Sequence, residues 1–364
     1  MKKLSDPVFG DLYYQDFDEN DVSKLPSLTG RVCPEPFRKI MVLQNGDVII
    51  CCPQWLPAVI GNVLTESVQA IWSGEKANLI RQSILDSSYK YCDKKVCHFI
   101  HHAEKFPLKE TFNTAINALP TEINLSVDGT CNLYCPSCRL EKVTFLGEQR
   151  EKAAKIIGSV LDSLFEQPHN HRVDLEIDGI GDIFSSSIYR HEFETRKCFT
   201  NPELWPNLRY TLLTNGVLMT EKMQNKHATL FTQTKIVKIS IDAGNEASYD
   251  KVRLGGHWAT LWKNLDYLYE SRLKHPDNTV DWAWIVVLQE DNFESIPELI
   301  KLAYKYPDNL PMIHIHPILQ GDHMPDFLFR DKAVWLETSP RYARLLEVLN
   351  MPEVTNYPKI YKPF

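Results

Sequence analysis

Three cysteines in one short stretch carry the strongest chemical signal of the sequence. Cys131, Cys135 and Cys138 stand in a CxxxCxxC spacing just after the strand-like run 122–127. The chain has nine cysteines in 364 residues. At that frequency, roughly one chain in two hundred would contain this spacing by chance. Three thiolates on one loop can hold three irons of a [4Fe–4S] cluster. A structural zinc loop completed by a distant fourth ligand is the alternative.

A second group of cysteines precedes this loop. Asn45-Gly46 is a type I′ hairpin signal between the β-rich runs 40–43 and 48–50. The hairpin is expected to bring Cys33 and Cys51 toward the same end. Either Cys51 or Cys52 is expected to bind the metal centre, because adjacent residues of a strand point to opposite faces. A tetrahedral zinc site satisfies the same pattern. The candidate ligands are Cys33, Cys51, Cys92 and Cys97.

Composition and charge restrict the class of protein. The chain is 43% hydrophobic and 24% charged, as in a soluble globular protein. No apolar run approaches the roughly 18 residues that span a bilayer, and the N-terminus lacks the apolar core of a signal peptide. The sequence therefore predicts a cytoplasmic protein without a membrane partner. A net charge of −7 without a Lys/Arg cluster argues against nucleic acid as the main partner.

From residue 121 strand-like runs alternate with helical ones, which is typical of a parallel α/β sheet. The predicted strands are 122–127, 172–178, 208–214, 235–242, 280–288 and 311–318. The predicted helices are 148–166, 187–198, 219–231, 258–273 and 293–306. Six βα units over about 200 residues predict a partial (β/α)6 TIM-like barrel, with its active site at the C-terminal ends of the strands.

Alternation within four of these strands separates a polar face from an apolar one. Because helices outside the sheet need an apolar surface to pack on, the polar faces are expected to line the interior. Charges there must be paired, solvated or in contact with a ligand, so a polar cavity is expected. The polar faces comprise Asn124, Ser126, Asp128, Asp174, Glu176, Asp178, Lys238, Ser240, Asp242, Met312, His314 and His316.

The spacing and setting of Cys131, Cys135 and Cys138 resemble the radical SAM superfamily. The resemblance implies that these thiolates hold a [4Fe–4S] cluster whose open iron chelates S-adenosylmethionine (SAM). One electron from the cluster then cleaves SAM to methionine and a 5′-deoxyadenosyl radical. The earlier cysteine pattern resembles the SPASM module, or its shorter single-cluster relative, and implies one auxiliary [4Fe–4S] cluster. That module normally follows the radical SAM domain, whereas here it lies N-terminal to it.

The resemblance also implies a set of SAM contacts near the ends of the predicted strands. The run 178–183, Asp-Gly-Ile-Gly-Asp-Ile, stands in the place of the family's Gly-Gly-Glu-Pro. Asp182 would accept a hydrogen bond from the SAM ammonium; a glycine turn with a solvated aspartate is the alternative. Ser240 or Asp242 is expected at the ribose, and Arg253 either at the SAM carboxylate or as a surface helix cap. The full set is Tyr134, Gly181, Asp182, Thr214, Asn215, Ser240, Asp242 and Arg253.

Residues outside the SAM apparatus do not identify the substrate. Glu176, His314 and His316 face the predicted cavity and are candidates for substrate binding or proton transfer, or for one half of an internal hydrogen-bonded pair. Cys198 resembles the thiol with which some radical SAM epimerases return a hydrogen atom to the product radical. A buried structural cysteine is the alternative.

By this resemblance the chain is expected to abstract a hydrogen atom from a peptide substrate, with an external one-electron donor of the flavodoxin or ferredoxin type. The same chemistry on a sugar or another small molecule is one alternative. A non-catalytic iron–sulfur or zinc-binding redox scaffold is the alternative from another class. The expected division is an N-terminal arm (1–30), a SPASM-like module (31–105), a linker (106–120), a partial barrel (121–320) and a C-terminal helical cap (321–364).

Overall fold

The structure, a computed structural model, describes residues 2–14, 25–95, 97–177, 180–275, 277, 280–320 and 324–362. Its strands are β1 (Lys2–Asp6), β2 (Gly10–Tyr14), β3 (Lys39–Val42), β4 (Asp47–Ile49), β5 (Val59–Asn62), β6 (Glu122–Leu125), β7 (Val173–Ile177), β8 (Leu208–Thr214), β9 (Thr234–Ser240), β10 (Asp281–Leu288), β11 (Met312–Pro317) and β12 (Ile360–Tyr361). Asp178 and Gly179, which the sequence analysis placed in a polar face and a glycine turn, lie outside the described residues.

The helices are α1 (Val68–Ser73), α2 (Glu75–Leu85), α3 (His98–His101), α4 (Gly147–Phe165), α5 (Ser187–Thr195), α6 (Lys197–Thr200), α7 (Glu221–Lys226), α8 (Ala228–Thr232), α9 (Glu246–Val252), α10 (Trp258–Leu268), α11 (Ile296–Ala303), α12 (Asp326–Lys332), α13 (Tyr342–Leu349) and α14 (Pro352–Thr355). The six strands predicted after residue 121 are confirmed as β6 to β11. Two predicted helices are each divided in two, because Arg196 has an extended backbone and His227 leaves the helical region.

The described chain divides into two compact units. The first comprises Met1–Asp128, Leu146–Ile177 and Asn201–Arg209. The second comprises Gly129–Phe145, Asp178–Thr200 and Tyr210–Phe364. The earlier cysteine group lies in the first unit and the CxxxCxxC loop in the second.

In the first unit the sheet strands follow the order β5-β4-β3-β6-β7. The predicted hairpin is confirmed as the antiparallel pair β3–β4, in which Met41 faces Ile49. β3 also pairs in parallel with β6, with Lys39 opposite Glu122. The hairpin of the cysteine module therefore shares a sheet with the first strand of the predicted barrel, a pairing that the sequence analysis did not predict.

In the second unit the order is β8-β9-β10-β11-β12, and each neighbouring pair is parallel. Ile239, Trp284 and Ile313 lie on a fully buried face. On the opposite face Lys238 and Ser240 are half-buried. The predicted separation of apolar and polar faces is therefore confirmed in this unit. The sheet is parallel and winds in chain order; the partial barrel stays a prediction.

The C-terminal tail forms the predicted helices and one element that was not predicted. α12, α13 and α14 are followed by β12, whose Ile360 and Tyr361 pair with Ile313 and His314. The tail therefore adds a strand to the sheet of the second unit, beyond the helices expected there.

Three helices that follow the site loops begin at side-chain caps. Ser186 accepts a hydrogen bond from Tyr189 N at the start of α5, and Thr220 and Asn245 serve α7 and α9 in the same way. A cap of this kind satisfies a backbone N–H that the helix itself leaves without a partner, typically worth about 1 kcal/mol. The caps fix where each loop ends and so position the residues before them.

Within the described residues, no helix is both long and apolar enough to cross a membrane.

Candidate functional site

The CxxxCxxC loop of the second unit, residues 129–145, is closed by its own backbone hydrogen bonds. Cys131 N donates to Val143 O at 3.0 Å, and Cys138 N donates to Cys135 O at 2.9 Å. Cys135 is buried, Cys131 is partly buried and Cys138 is exposed. The three thiols therefore lie in one ordered loop with one corner open to solvent.

Asp182 joins this loop to the turns after β7 and β8. Its Oδ2 accepts hydrogen bonds from Thr214 Oγ1 at 2.7 Å and Asn215 N at 2.8 Å. Its Oδ1 accepts from the backbone N–H groups of Phe184 and Ser185 at 3.0 and 3.1 Å. Asp182 is 2% exposed, and burial raises the pKa of its carboxyl while these four donors oppose the rise. Both oxygens are therefore engaged by protein groups, and the predicted contact with the SAM ammonium stays a prediction.

Asn215 carries this network to the first cysteine. Its Nδ2 donates to Asn132 Oδ1 at 2.8 Å and lies 3.8 Å from Cys131 Sγ. The next residue, Gly216, has φ +78°, and an added Cβ would lie 2.6 Å from the Leu261 side chain. The Thr-Asn-Gly sequence is thus explained physically, since the turn needs a positive φ and no side chain at its third residue.

Buried amides that the sequence analysis missed support these turns. Asn264 Nδ2 donates to Gly216 O at 2.8 Å and Val217 O at 2.9 Å. Asn292 Nδ2 donates to Asp242 O at 2.7 Å. No local sequence signal distinguishes such amides from surface ones, because their role depends on the turn that packs against them.

Asp242 and Arg253 form a buried ion pair at the end of β9. Arg253 Nε lies 2.8 Å from Asp242 Oδ2, and the side chains are 11% and 1% exposed. Asp242 Oδ1 also accepts from Val287 N at 2.7 Å. Burial would lower the pKa of Arg253, but the Asp242 carboxylate raises it above its ordinary value. The alternative that Arg253 is a surface helix cap is wrong: α9 ends there, but the side chain points inward.

This pair also reaches the second cysteine. Arg253 Nη1 donates to Cys135 Sγ at 3.6 Å. Tyr134 N donates to Leu254 O at 3.1 Å, which ties the cysteine loop to the turn after α9. The Tyr134 ring lies against Gly255, where an added Cβ would be 3.2 Å from Cε1. The aromatic residue predicted beside the cluster or adenine thus packs on a glycine of this turn.

Arg139, which was not predicted, contacts the third cysteine. Its Nη2 donates to Cys138 Sγ at 3.4 Å and to Ile180 O, and its Nη1 donates to Gly129 O at 2.8 Å. Each of the three thiols therefore has a nitrogen donor from a different part of the second unit.

The donor set fits a thiolate-bound cluster. None of the nine cysteines forms a disulfide. Burial raises the pKa of the Cys131 and Cys135 thiols, while Arg139 lowers the first and Arg253 the second. A bound metal cation would remove the penalty on the thiolate form and favour the deprotonated ligands. Cys131, Cys135 and Cys138 are thus suitable ligands, with cations placed to stabilise their charge.

The predicted second set is brought together in the first unit. Burial raises the pKa of all four thiols, to about 12 for Cys51 and about 11 for Cys97. The charges of Cys33, Cys51 and Cys97 raise the pKa of Cys92 further. As thiolates the four groups would repel one another, and a metal centre would relieve that repulsion.

The structure distinguishes Cys51 from Cys52. Cys51 is buried and accepts a hydrogen bond from Trp55 Nε1 at 3.2 Å, whereas Cys52 is partly exposed. Cys51 appears among the charges acting on Cys33 and Cys92. Cys52 acts in the same way on Cys97, so greater burial is what favours Cys51 as the ligand of this pair.

Two buried groups near this set were missed by the sequence analysis. Tyr89 OH accepts from Cys33 N at 3.1 Å and donates to Arg31 O at 2.8 Å. Glu35 is buried, accepts from Arg38 Nε at 3.0 Å, and raises the pKa of Cys33, Cys51 and Cys97. The tyrosine positions the first cysteine, and the glutamate places a negative charge near the set.

The substrate candidates lie in different settings. Glu176 is partly buried on β7 in the first unit. In the second unit the rings of His314 and His316 lie 5.9 and 6.3 Å from that of Tyr361. Burial lowers the pKa of His314, and the charge of Lys238 lowers it further. The two histidines and the tyrosine share one face of β11 and β12.

Cys198 is fully buried on α6. Burial raises the pKa of its thiol to about 12, and its carbonyl accepts from Tyr210 OH at 2.6 Å. This setting is that of the structural alternative. Two other predicted SAM contacts, Gly181 and Ser240, are partly buried.

Over the part of the chain that the structure describes, no group of three or more His, Cys, Asp or Glu side chains is arranged to hold a metal ion, so the fit of both cysteine sets to a cluster rests on the chemistry of their thiols and not on a preformed ligand geometry.

Comparison with known proteins identifies one domain. Residues 33–98 match the family described as "SPASM: Iron-sulfur cluster-binding domain". A 110-residue stretch is 30% identical to GTP 3′,8-cyclase of Clostridium perfringens (strain SM101 / Type A), covering 30% of this chain and 31% of that protein. The match thus spans less than a third of that relative. Its name is that of an enzyme, in agreement with the prediction that the present chain is one.

Two solved structures share 12% identity with the chain. They are described as "Native anSMEcpe with bound AdoMet" (TM-score 0.36, covering 55% of this chain and 52% of that one) and "Crystal structure of methylornithine synthase (PylB)" (TM-score 0.34, 66% and 70%). Similarity at this level says nothing about the activity of the present chain. The family match at residues 33–98 agrees with the SPASM-like module that the resemblance implied, and its place before a radical SAM domain stays a prediction.

Proposed function

We propose that the chain is a radical SAM enzyme whose SPASM module precedes the catalytic domain, a partial barrel. The observation that carries the proposal is the cysteine loop of the second unit, in which Cys131, Cys135 and Cys138 each have a nitrogen donor beside the sulfur. When bound, the cluster and SAM would supply a 5′-deoxyadenosyl radical that takes a hydrogen atom from the substrate. The SPASM match supports the iron–sulfur character of the chain.

The chain's own residues would hold these groups from two sides. The turns beside Cys131 are held by hydrogen bonds among Asp182, Thr214 and Asn215. The segment beside Cys135, at the end of β9, is held by the ion pair of Asp242 and Arg253. Because Arg253 is buried in this ion pair, little of its side chain is exposed for contact with the SAM carboxylate. We therefore assign Asp182 and Arg253 to positioning of the cysteine loop first, and contact with SAM second.

We propose a peptide as the substrate, with an external one-electron donor and a cytoplasmic location. The half-buried polar face of β9 and β11 supports a substrate surface in the second unit. A nucleotide is the second candidate, because the relative matched over 110 residues is named as a GTP cyclase.

Anaerobic reconstitution of the full chain with iron and sulfide tests the activity. We expect about eight irons per chain, as two four-iron clusters, and formation of 5′-deoxyadenosine from SAM and a one-electron reductant. Cys135→Ala should abolish that product, whereas Cys198→Ala, a change of the same kind at a buried structural thiol, should leave it.

Bound zinc without SAM cleavage would instead support the scaffold alternative. Adding GTP or candidate peptides to the active protein then separates the two substrate classes. The true class should accelerate formation of 5′-deoxyadenosine and be converted itself, and a peptide effect without a GTP effect would eliminate the nucleotide.

A further inference from the structure

Arg139 is the residue that follows the third loop cysteine, and its guanidinium is held in a fixed orientation. One nitrogen donates to Gly129 O at 2.8 Å, and the other donates to Ile180 O and to Cys138 Sγ, the latter at 3.4 Å. The two carbonyls belong to the start of the cysteine loop and to the turn after β7. The side chain therefore bridges two segments and directs its remaining donor at a sulfur.

The charge of Arg139 is not neutralised in the way that of Arg253 is. Arg253 pairs with Asp242 at 2.8 Å, so part of its charge beside Cys135 is offset. Among the residues that the structure describes, no carboxylate forms an ion pair with Arg139, and its three acceptors are two carbonyls and a thiol. The same charge also acts on Cys131. Arg139 thus places a positive charge beside the sulfur of Cys138, whereas at Cys131 the charge of Asp182 opposes it.

Hydrogen bonds to the sulfurs and net charge set the reduction potential of an iron–sulfur cluster. Reduction adds one negative charge, which a nearby cation and N–H donor stabilise. Cys138 is exposed, so solvent screens part of this effect and a moderate size is expected.

We propose that Arg139 tunes the cluster held by the CxxxCxxC loop, raising its reduction potential and so making it easier to reduce by an external one-electron donor. Arg139 is a positioning and electrostatic residue in this assignment and contacts neither SAM nor substrate. The inference rests on the proposed function, because it concerns the cluster that would cleave SAM.

The test is a redox titration of the reconstituted full chain, followed by EPR of the reduced cluster. The signal that changes on addition of SAM identifies the cluster of this loop and separates it from the auxiliary one. We expect Arg139→Gln to make that cluster about tenfold harder to reduce, a shift of ~59 mV to more negative potential for one electron. Arg139→Lys, which keeps the charge and loses the planar fork, should give a smaller shift of about threefold.

Arg330→Gln is the matched control, since Arg330 lies exposed on α12 and pairs with Asp326. In Arg330→Gln the reduction potential of the SAM-responsive cluster should equal that in the unchanged chain. The proposal is overturned if Arg139→Gln matches this control, or if Arg139→Gln fails to take up iron and loaded Arg139→Lys has the unchanged potential. Absence of any SAM-responsive signal in the unchanged chain would count against the proposed function, which distinguishes the two failures.

Discussion

Asp182 shows how one buried side chain can organise the loops around a site. The motif resemblance assigned it to the cofactor, but its oxygens accept hydrogen bonds from Thr214, Asn215, Phe184 and Ser185. Its own N–H donates to Thr130 O at 2.8 Å, next to the first cysteine. A carboxylate one methylene shorter than glutamate thus stays within the protein and ties three segments together.

Replacing Asp182 by Asn tests this role. An amide has one acceptor oxygen, and its NH₂ group would face at least one backbone N–H donor, so at least one of the four hydrogen bonds is lost. Hydrogen bonds to a buried charge are worth about 1.5–3 kcal/mol each and an unsatisfied donor costs about as much, so we expect Asp182→Asn to lower the free energy of unfolding by about 2–4 kcal/mol. Urea denaturation of the metal-free chain measures it.

The control is Asp326→Asn, at an exposed carboxylate paired with Arg330, where we expect about 0–0.5 kcal/mol. If Asp182 served only to contact SAM, its variant would match this control in stability and lose only SAM binding. That result would remove the positioning role.

At the scale of elements, the N-terminal hairpin β1–β2 is anchored through one carboxylate. Asp6 is buried at the turn, where Oδ1 accepts from Val8 N at 2.9 Å and Oδ2 from Lys90 Nζ at 2.6 Å. Phe9 packs edge-on against Tyr91 with ring centroids 4.9 Å apart. From the sequence this segment was expected to be part of an N-terminal arm (1–30), because its five-residue strands are too short and polar to show a clear period.

This anchor predicts a specific dependence on pH. The hydrogen bond from Lys90 lowers the pKa of Asp6 to about 2, below the value of about 3.9 for a free aspartate. A lowered pKa in the folded state stabilises the fold above the unfolded pKa, and that contribution is lost as the pH falls from about 5 to about 2. We expect Asp6→Asn to have a lower Tm than the unchanged chain at pH 6, with the difference shrinking as the pH approaches 3.

Thermal unfolding followed by circular dichroism at several pH values checks this expectation. In a Lys90→Gln background the carboxylate loses its main partner, so Asp6→Asn should have less effect at pH 6. A Tm difference that stays constant from pH 6 to pH 3 would show that the Asp6 charge does not anchor the hairpin.

The strands β6, β7, β9 and β11 were predictable because their alternation is a local property of sequence, and β8 and β10 were predicted from their strand-like runs alone. Ile123 and Leu125, or Val237 and Ile239, identify the buried face without knowledge of the neighbours. β12 was not predictable, since two residues show no period and the strand exists only through pairing with Ile313 and His314.

The candidate site likewise has a part that local sequence indicates and a part that depends on the fold. The CxxxCxxC spacing singled out the loop thiols, because metal ligands often repeat at short intervals along the chain. The assignment of both sets as cluster ligands stays a prediction. The partners of those thiols are far apart in sequence. Arg253 lies 118 residues from Cys135 and Asn215 lies 84 from Cys131, and such contacts depend on the fold. Arg139 was closer, but an arginine beside a cysteine has no distinguishing pattern.

At the scale of the molecule, the two cysteine sets lie in different compact units. Cys33, Cys51, Cys92 and Cys97 belong to the first unit, and the CxxxCxxC loop belongs to the second. The hydrogen bonds described around each set are made within its own unit. Each centre is therefore expected to assemble without ligands from the other.

Single substitutions in the first set test this independence and also decide between two neighbouring thiols. Cys51 is buried and its charge acts on Cys33 and Cys92, whereas Cys52 is partly exposed. We expect Cys51→Ala to reduce the iron content from about eight to about four per chain, and to retain the EPR signal that responds to SAM. Iron analysis and EPR of the reconstituted protein measure the two quantities.

Cys52→Ala is the matched control, one residue away and of the same kind, and should keep about eight irons. Iron loss in Cys52→Ala with full loading of Cys51→Ala would reverse the assignment. Loss of the SAM-responsive signal in a folded Cys51→Ala protein would mean that the loop cannot hold its cluster without the first set. The two centres would then be coupled, although the donors to Cys131, Cys135 and Cys138 all come from the second unit.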